Sequence, residues 1–464
     1  MVIVNSREET AIYEERENFF YSKDAGKCKK TIDPQGVARV FRSHNQIITL
    51  HDTEEMYYYE DGVYWPGARS LIKAFCERHL DEEISTHVVN EIVGHIERAT
   101  YFDRSYALDG SADINLMNGI VNVLTGKWRD HSPDEVFFTQ LPFVFDPDAA
   151  CPAIDQFISE VFAEPDRELA YEIIAYTLIP GYLIQKAFAL VGGGNNGKST
   201  FLGLIRAFLG PDNVSSVTLQ DLDGNRFAGA SLYGKRANLC ADLPSKDLHK
   251  TGMFKALTGG DRVRAENKGM QAFHFENQAK LFFSMNQVPM TDDDSDAFYR
   301  RWVLIDFPNK FEGANLNLNK LQEITKKTEL AGLFNKCLKI VPQLLERKGF
   351  SNAGSTQATR EKYIRMSDSV YCFIEDQVEI LPLAWVRKKD LYTRYLDWCR
   401  EQRTPPAGER KFKTRLTANL PSVSEGRQHD DEGRKVHAWE GIRLKSEKDA
   451  EEDRTDSQAR IGDY

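Results

Sequence analysis

Nine residues, Gly192-Gly193-Gly194-Asn195-Asn196-Gly197-Lys198-Ser199-Thr200, constrain this chain more than any other stretch. They follow the apolar run Ala187 to Val191, which reads as a short buried strand, and they open a helical pattern over Lys198 to Leu209. Strand, glycine-rich loop and helix in the spacing G-x-x-x-x-G-K-[ST] suit a phosphate group. Glycines let backbone N–H groups curl around the oxygens, and the helix start adds partial positive charge. In such a loop Lys198 reaches the β- and γ-phosphates and Ser199 ligates Mg²⁺. All nine residues are therefore expected to line a nucleotide site on an α/β domain.

Three further elements follow at short range. Arg236 to Asp242 reads as an apolar strand ending in a carboxylate, 44 residues after Lys198. An acid there can hold Mg²⁺ or its water; the plainer alternative is a cap on a following helix. Another strand, Lys280 to Met285, delivers Asn286 at its tip, again 44 residues on. Its amide can orient the attacking water, or simply form a turn. Arg300 and Arg301 stand just before the apolar strand Trp302 to Phe307. An arginine supplied to a neighbouring subunit's γ-phosphate stabilises transition-state charge, whereas a surface pair would only neutralise Asp292-Asp293-Asp294. Between the two acid- and amide-bearing strands, Arg262 to Asn267 and Ala272 to Glu276 alternate as a hairpin around Lys268-Gly269-Met270.

The four elements fit between Gly192 and Arg301, and this compactness resembles the superfamily 3 helicases of viruses and plasmids. The segments Phe254 to Asp261, Ser284 to Pro289 and Phe298 to Arg301 look like that family's motifs. Upstream, Asn115 to Gly119 and residues 143 to 191 resemble the domain preceding the helicase in phage/plasmid and poxvirus-type primase-helicases. The resemblance implies an AAA+-like ATPase using ATP and Mg²⁺, with Lys198, Asp242, Asn286, Arg300 and Arg301 catalytic and with Ser199 and Asp242 at the metal. It further implies a ring, hexameric in such families, that translocates 3′ to 5′ on single-stranded DNA at a fork, with Lys268 gripping phosphate. Asp242 is flanked by Ala241 and Leu243 where many relatives carry two acids, which leaves only Asp247 as a weak candidate base. Too little chain precedes the recognisable region for a primase catalytic domain, so a separate primase or polymerase is the expected partner.

The organisation read from composition is an N-terminal extension (1–45), an α+β domain (46–150), the ATPase domain with flanking helices (151–350), a linker and connecting segment (351–385), a basic module (386–445) and an acidic tail (446–464). Helical patterns are expected over Ala153 to Ile179 and Leu316 to Lys348, and Ser351 to Gln357 is the best linker. The chain of 464 residues sums to a net charge of −10. This excludes a wholly basic nucleic-acid protein but not local clustering. Residues 386–445 hold 15 Lys+Arg against 9 Asp+Glu, a net of +6. There, Lys388 to Arg403 places Leu391, Tyr395 and Trp398 on one helical face, and Glu409 to Leu420 carries Arg410, Lys411, Lys413 and Arg415. Helix, helix and hairpin resemble a winged-helix module, with those four cations expected against duplex DNA.

The seven cysteines are scattered with no C-x-x-C pair, which indicates a reducing compartment. Ile173 to Ile184, the longest nearly uncharged apolar stretch, is too short to cross a bilayer, and the N-terminus lacks signal-peptide order. An intracellular, cytoplasmic location without a membrane partner is expected. A non-motor alternative is an origin-binding initiator that uses ATP to switch assembly. A small-molecule kinase is disfavoured, because it leaves Asn286, the hairpin and the arginine pair without a job.

Overall fold

The computed structural model describes residues 19–22, 30–80, 84–244, 246–266, 268, 272–313, 316–402, 406–430 and 432–445. The acidic tail, most of the N-terminal extension and the hairpin-tip residues Asn267, Gly269 and Met270 lie outside the described residues. Two compact units form. One takes in the chain up to Ala241 with Met253–Ser284 and Ile305–Ala353; the other is Asp242–Gly252, Met285–Leu304 and the chain from Gly354 on.

The sheet that carries the glycine-rich loop is built from runs too apolar to face water on either side. In β1 (Ala187–Val191) every residue is buried, and α1 (Lys198–Leu209) follows the loop. Next come β2 (Val214–Ser215), β3 (Ala237–Cys240), the hairpin strands β4 (Arg262–Ala265) and β5 (Phe273–Glu276), then β6 (Lys280–Met285) and β7 (Trp302–Asp306). The sheet order is β2-β3-β6-β1-β7. β3 runs parallel to both β2 and β6, with Ala237 opposite Lys280 and Cys240 opposite Phe283. One strand thus separates the strand carrying the glycine-rich loop from the strand leading to Asp242. Phe188 of β1 stacks on Phe282 of β6 at 4.7 Å, a pair worth about 0.5–1.5 kcal/mol beyond its area.

Two polar side chains inside this sheet, Asn238 and Lys280, are buried with partners. Asn238 pins β2, accepting from the Val217 N–H at 2.7 Å and the Ser215 hydroxyl at 2.9 Å. Lys280 is fully buried; its amino group donates to the Gly181 and Gln278 carbonyls and lies 4.6 Å from the Tyr176 ring centre. Burial, aided by nearby Arg236, holds its pKa well below 10.5. The unfolded chain therefore binds this proton more tightly than the folded one, so the contribution of Lys280 to stability rises with pH and levels off above 10.5. Urea titrations of wild type and Lys280→Met at pH 7 and pH 10 should differ: the wild type gains on the variant as pH rises, by at most about 1.4 kcal/mol per unit. Parallel profiles would show that the amine stays charged in the fold.

Upstream, an α+β domain packs helices Pro34–His44, Ala68–His79 and Thr86–Ala99 on a four-stranded sheet whose central strands are Ile47–Leu50 and Met56–Glu60. Asp33 caps the first helix through the Gln35 N–H at 3.1 Å, with Pro34 in the first turn where its missing N–H costs nothing. A second small sheet turns at Asn118-Gly119. Gly119 has φ +147°, and a Cβ there would meet the Arg129 carbonyl at 2.6 Å. Buried Asn115 donates to the Gly62 and Thr139 carbonyls at 2.9 and 3.1 Å, so the Asn115–Gly119 motif is a structural corner.

Two helical expectations are corrected. Ala153 to Ile179 is not one helix but two, Pro152–Val161 and Arg167–Tyr176, because Pro165 sits in the intervening 3₁₀ turn and cannot continue the hydrogen-bond ladder. Leu316 to Lys348 divides into Lys320–Ile324 and α2 (Lys327–Arg347). Buried Glu329 of α2 accepts from the Ala153 and Ile154 N–H groups at 3.1 and 3.2 Å, capping a helix that has no side-chain cap of its own.

Residues 351–385, read as a connecting segment, contain α3 (Thr356–Ser367), α4 (Ser369–Gln377) and most of β8 (Val378–Arg387). Asp368 ends one helix and caps the next through the Val370 N–H at 2.9 Å. Beyond them lie α5 (Lys388–Glu401), α6 (Glu409–Asn419), β9 (Ser424–His429) and β10 (Lys435–Leu444), with sheet order β8-β10-β9, antiparallel throughout. Helix, strand, two helices and a terminal hairpin is winged-helix connectivity. Leu391, Tyr395 and Trp398 are buried together with Phe373, Phe412 and Trp439. Among the described residues no helix is long and apolar enough to cross a membrane.

Candidate nucleotide and nucleic-acid sites

The loop after β1 contains glycines of two kinds. A Cβ at Gly192 would meet the Asn196 amide at 2.2 Å and the Phe307 carbonyl at 2.8 Å. Gly197, with φ +90°, would meet Val161 at 2.9 Å. Folding itself requires both. At Gly193 and Gly194 a Cβ would meet nothing within 4 Å, and neither has positive φ. Nothing in the packing requires glycine at those two positions, whereas close approach of a phosphate to the backbone does.

The rest of the loop is braced from within its unit. The Asn196 side chain is buried; it donates to the Phe307 carbonyl at 3.3 Å and accepts from Lys198 at 3.0 Å. Asn195, with φ 56°, accepts from the Phe311 N–H at 2.8 Å. The Lys198 amino group bends back over the loop, 2.6 Å from the Gly192 carbonyl and 2.8 Å from that of Gly193. Ser199 is exposed, Thr200 half-buried, and no side chain caps the first turn of α1. The orphan N–H groups of that turn, the exposed hydroxyl and the lysine are the donor set that an Mg²⁺-bound nucleotide requires.

Asp242 lies two residues past the end of β3, exposed, and its carboxylate makes no hydrogen bond or ion pair among the described residues. The next helix starts at Gly252, so Asp242 caps nothing. Asp247 is 3.5 Å from Lys411. Asn286 is exposed just beyond β6. The acidic run organises its own loop: Asp292 pairs with His249 at 2.7 Å, and Asp293 accepts from the Thr251 hydroxyl and from the Ser295 N–H at 3.1 Å.

The two arginines differ. Arg301 is 7% exposed and donates to the Ala297 carbonyl at 2.5 Å; Arg300 is exposed at the end of the short helix Asp296–Tyr299. In the hairpin, Val263, Ala265 and Phe275 are buried, with Phe275 5.4 Å from the Tyr233 ring, while Arg262, Arg264 and His274 are exposed on the other side. Lys268 is exposed in the connecting turn. Arg262, Arg264 and His274 were not singled out from sequence, although strict alternation in β4 marks their face.

The cations of α6 are largely engaged. Arg415 pairs with Asp368 at 3.0 Å, both mostly buried, and so braces the cap of α4. Lys413 lies 2.6 Å from Glu425, which also receives Lys388; together the two lysines hold that carboxyl at about 2. Lys411 faces Asp247, and Arg410 is exposed.

Three family profiles match in chain order. "D5 N terminal like" covers residues 38–163, a "Family of unknown function (DUF5906)" covers 190–301, and "Poxvirus D5 protein-like" covers 365–453. The second spans the glycine-rich loop through Arg301. A "Putative helicase L207/L206" of Acanthamoeba polyphaga mimivirus is 27% identical over 234 residues, 47% of this chain but only 23% of that protein. Among solved structures, the apo C-terminal region of NrS-1 aligns over 88% of this chain and 98% of that one, with TM-score 0.50 and 12% identity. That likeness is one of fold. D5-type profiles thus match on both sides of the α/β core that carries the glycine-rich loop, and in this arrangement the chain is similar to the poxvirus D5-like primase-helicase family.

Proposed function

We propose that this chain is an ATP-driven DNA helicase of the viral or plasmid replicative type, working as a ring, six-membered by family analogy, that moves 3′ to 5′ on single-stranded DNA. The observation that carries the reading is the loop of Gly192 to Thr200, where Gly193 and Gly194 answer to no packing demand and Lys198 and Ser199 stand at the start of an uncapped helix. ATP is the nucleotide expected there. Mg²⁺, held through Ser199 and by the acid Asp242, would neutralise phosphate charge. Lys198 binds the β- and γ-phosphates, Asn286 orients the attacking water, and an arginine of the neighbouring subunit completes the site at each ring interface. Exposure favours Arg300 over Arg301 for that last role.

Translocation requires a cation at the channel, and Lys268, itself exposed in the hairpin turn, is our candidate. Forked DNA and ATP should yield strand displacement by the wild-type chain. Lys268→Ala should lower the number of strands displaced per ATP hydrolysed at least tenfold, the equivalent of about 1.4 kcal/mol in a contact made at every step. An unchanged ratio would remove Lys268 from the DNA path. Hydrolysis without displacement on any fork would be the behaviour of an initiator, not of a motor.

A further inference from the structure

The terminal hairpin of the winged-helix module carries positive charge that no carboxylate offsets, whereas along α6 only Arg410 lacks an acidic partner among the described residues. Along α6, Lys411, Lys413 and Arg415 each face a carboxylate of their own unit. The groove beside that helix is lined by Met290 and Asp368 as well as by Arg410, Lys411 and Thr414. Lys411 and Lys413 stay about half exposed, yet each shares its charge with a carboxylate that a phosphate would have to displace.

The hairpin is arranged differently. In the β9–β10 register Arg427 stands opposite His437, and His429 opposite Lys435. Directly opposed residues, and residues two apart on one strand, share a face, so these four project together; all four are exposed. The described carboxylates of the hairpin are all occupied. Glu425 is held by Lys388 and Lys413, Asp430 by Arg387 and Arg434, and Glu432 by Arg434. Glu440, on the opposite face, accepts from Gln428 at 2.7 Å. Among the described residues neither Arg427 nor Lys435 has an acidic partner. The ribbon is firm: Asp430, 6% exposed, accepts from the Arg434 N–H at 2.7 Å and closes the turn, and a Cβ at Gly426 would strike Glu440 at 1.9 Å, which keeps the opposite face tightly packed.

We propose that the face formed by Arg427, His429, Lys435 and His437 binds the sugar-phosphate backbone of duplex DNA. Two permanent cations and two imidazole N–H donors on a rigid ribbon offer phosphate contacts. Trp439 continues that face beyond His437 but is buried, with Lys388 over its ring, so the face offers no exposed Phe, Tyr or Trp on which unpaired bases could stack, which favours duplex over single strand. This rests on the reading of the chain as a DNA motor, to which it adds a grip on unopened duplex.

The test uses the full chain, a labelled blunt duplex and anisotropy titrations over a series of salt concentrations. Arg427→Ser/Lys435→Ser should flatten the log–log salt slope by about 1.8, at 0.9 per lost phosphate contact, and weaken binding at low salt at least about tenfold. Arg427→Lys/Lys435→Arg should restore both, and Lys411→Ser/Lys413→Ser should weaken binding less than the hairpin pair does. Melting curves confirm that each variant is folded. An unchanged slope in the hairpin variant, a larger loss in the α6 variant, or a loss seen only with a single-stranded probe would overturn the assignment. ATP turnover of the wild-type chain is read in parallel. Duplex binding without turnover would sink the motor reading and leave the hairpin face standing, whereas turnover with an indifferent hairpin would do the reverse.

Discussion

Lys198→Ala should lose ATP turnover by at least a factor on the order of 10²–10³, the usual consequence of removing one fixed donor from developing phosphate charge. The geometry explains why the loss falls on chemistry and not on folding. The ammonium now rests on the Gly192 and Gly193 carbonyls and the Asn196 amide oxygen. A bound nucleotide replaces these neutral acceptors with phosphate oxygens, a stronger charge-assisted partnership for the same donor. Alanine removes the donor, yet Gly193 is exposed, so its carbonyl finds water and the loop backbone keeps its braces through Asn196 and Phe311. The variant should therefore melt near the wild type, while the upward shift of melting temperature produced by ATP and Mg²⁺ shrinks or vanishes, since that shift reports binding to the native state alone. Phosphate release within tenfold of wild type would remove the loop from catalysis and with it the motor reading.

The loop and its strands were legible because their signals are local. Five apolar residues, a glycine-rich turn and a periodic helix specify β1, the loop and α1 without help from the rest of the chain, and the structure begins and ends α1 at the residues expected, Lys198 and Leu209. The hairpin β4–β5 was visible for the same reason, through alternation. What escaped was whatever tertiary contacts decide. β9, Ser-Glu-Gly-Arg-Gln-His, has no apolar residue and is a strand only because β10 pairs with it. α4 was hidden behind a Ser- and Gly-rich lead that resembles a linker, although Asp368 caps it in the ordinary way. Charge counts along α6 marked a basic helix, but not that Asp247, Glu425 and Asp368 would meet those cations from elsewhere in the unit. A tally of lysines and arginines reports charge present in the chain, not charge left over for a ligand.

Arg300 and Arg301 are the sharpest case of residues that sequence cannot rank, and the second large effect is expected between them. Arg301, buried, donates to the Ala297 carbonyl and so ties itself to the short helix Asp296–Tyr299. Removing it leaves that acceptor and its buried surroundings without the partner, so Arg301→Ala should lose about 1–3 kcal/mol of stability. Arg300 is exposed and free of that duty, so Arg300→Ala should melt like the wild type yet lower kcat by about 10³-fold or more, the effect of deleting an arginine that stabilises phosphoryl transfer from a neighbouring subunit. Mixing supplies the decisive comparison. Asp242→Ala protein is expected to be inactive alone, as is Arg300→Ala, but a subunit lacking Arg300 keeps its own Asp242 and can receive the arginine of an Asp242→Ala neighbour. In a head-to-tail ring assembled at random from equal amounts, about one interface in four combines an intact acid with an intact arginine, so turnover should recover to roughly a quarter of wild type. Recovery at that level fixes Arg300 as a group acting across the interface. If the mixture stays inactive while the mixture of Arg301→Ala with Asp242→Ala recovers, burial has misled the assignment and Arg301 is the finger; if neither recovers, each site is complete within its own subunit and the ring is not needed for hydrolysis.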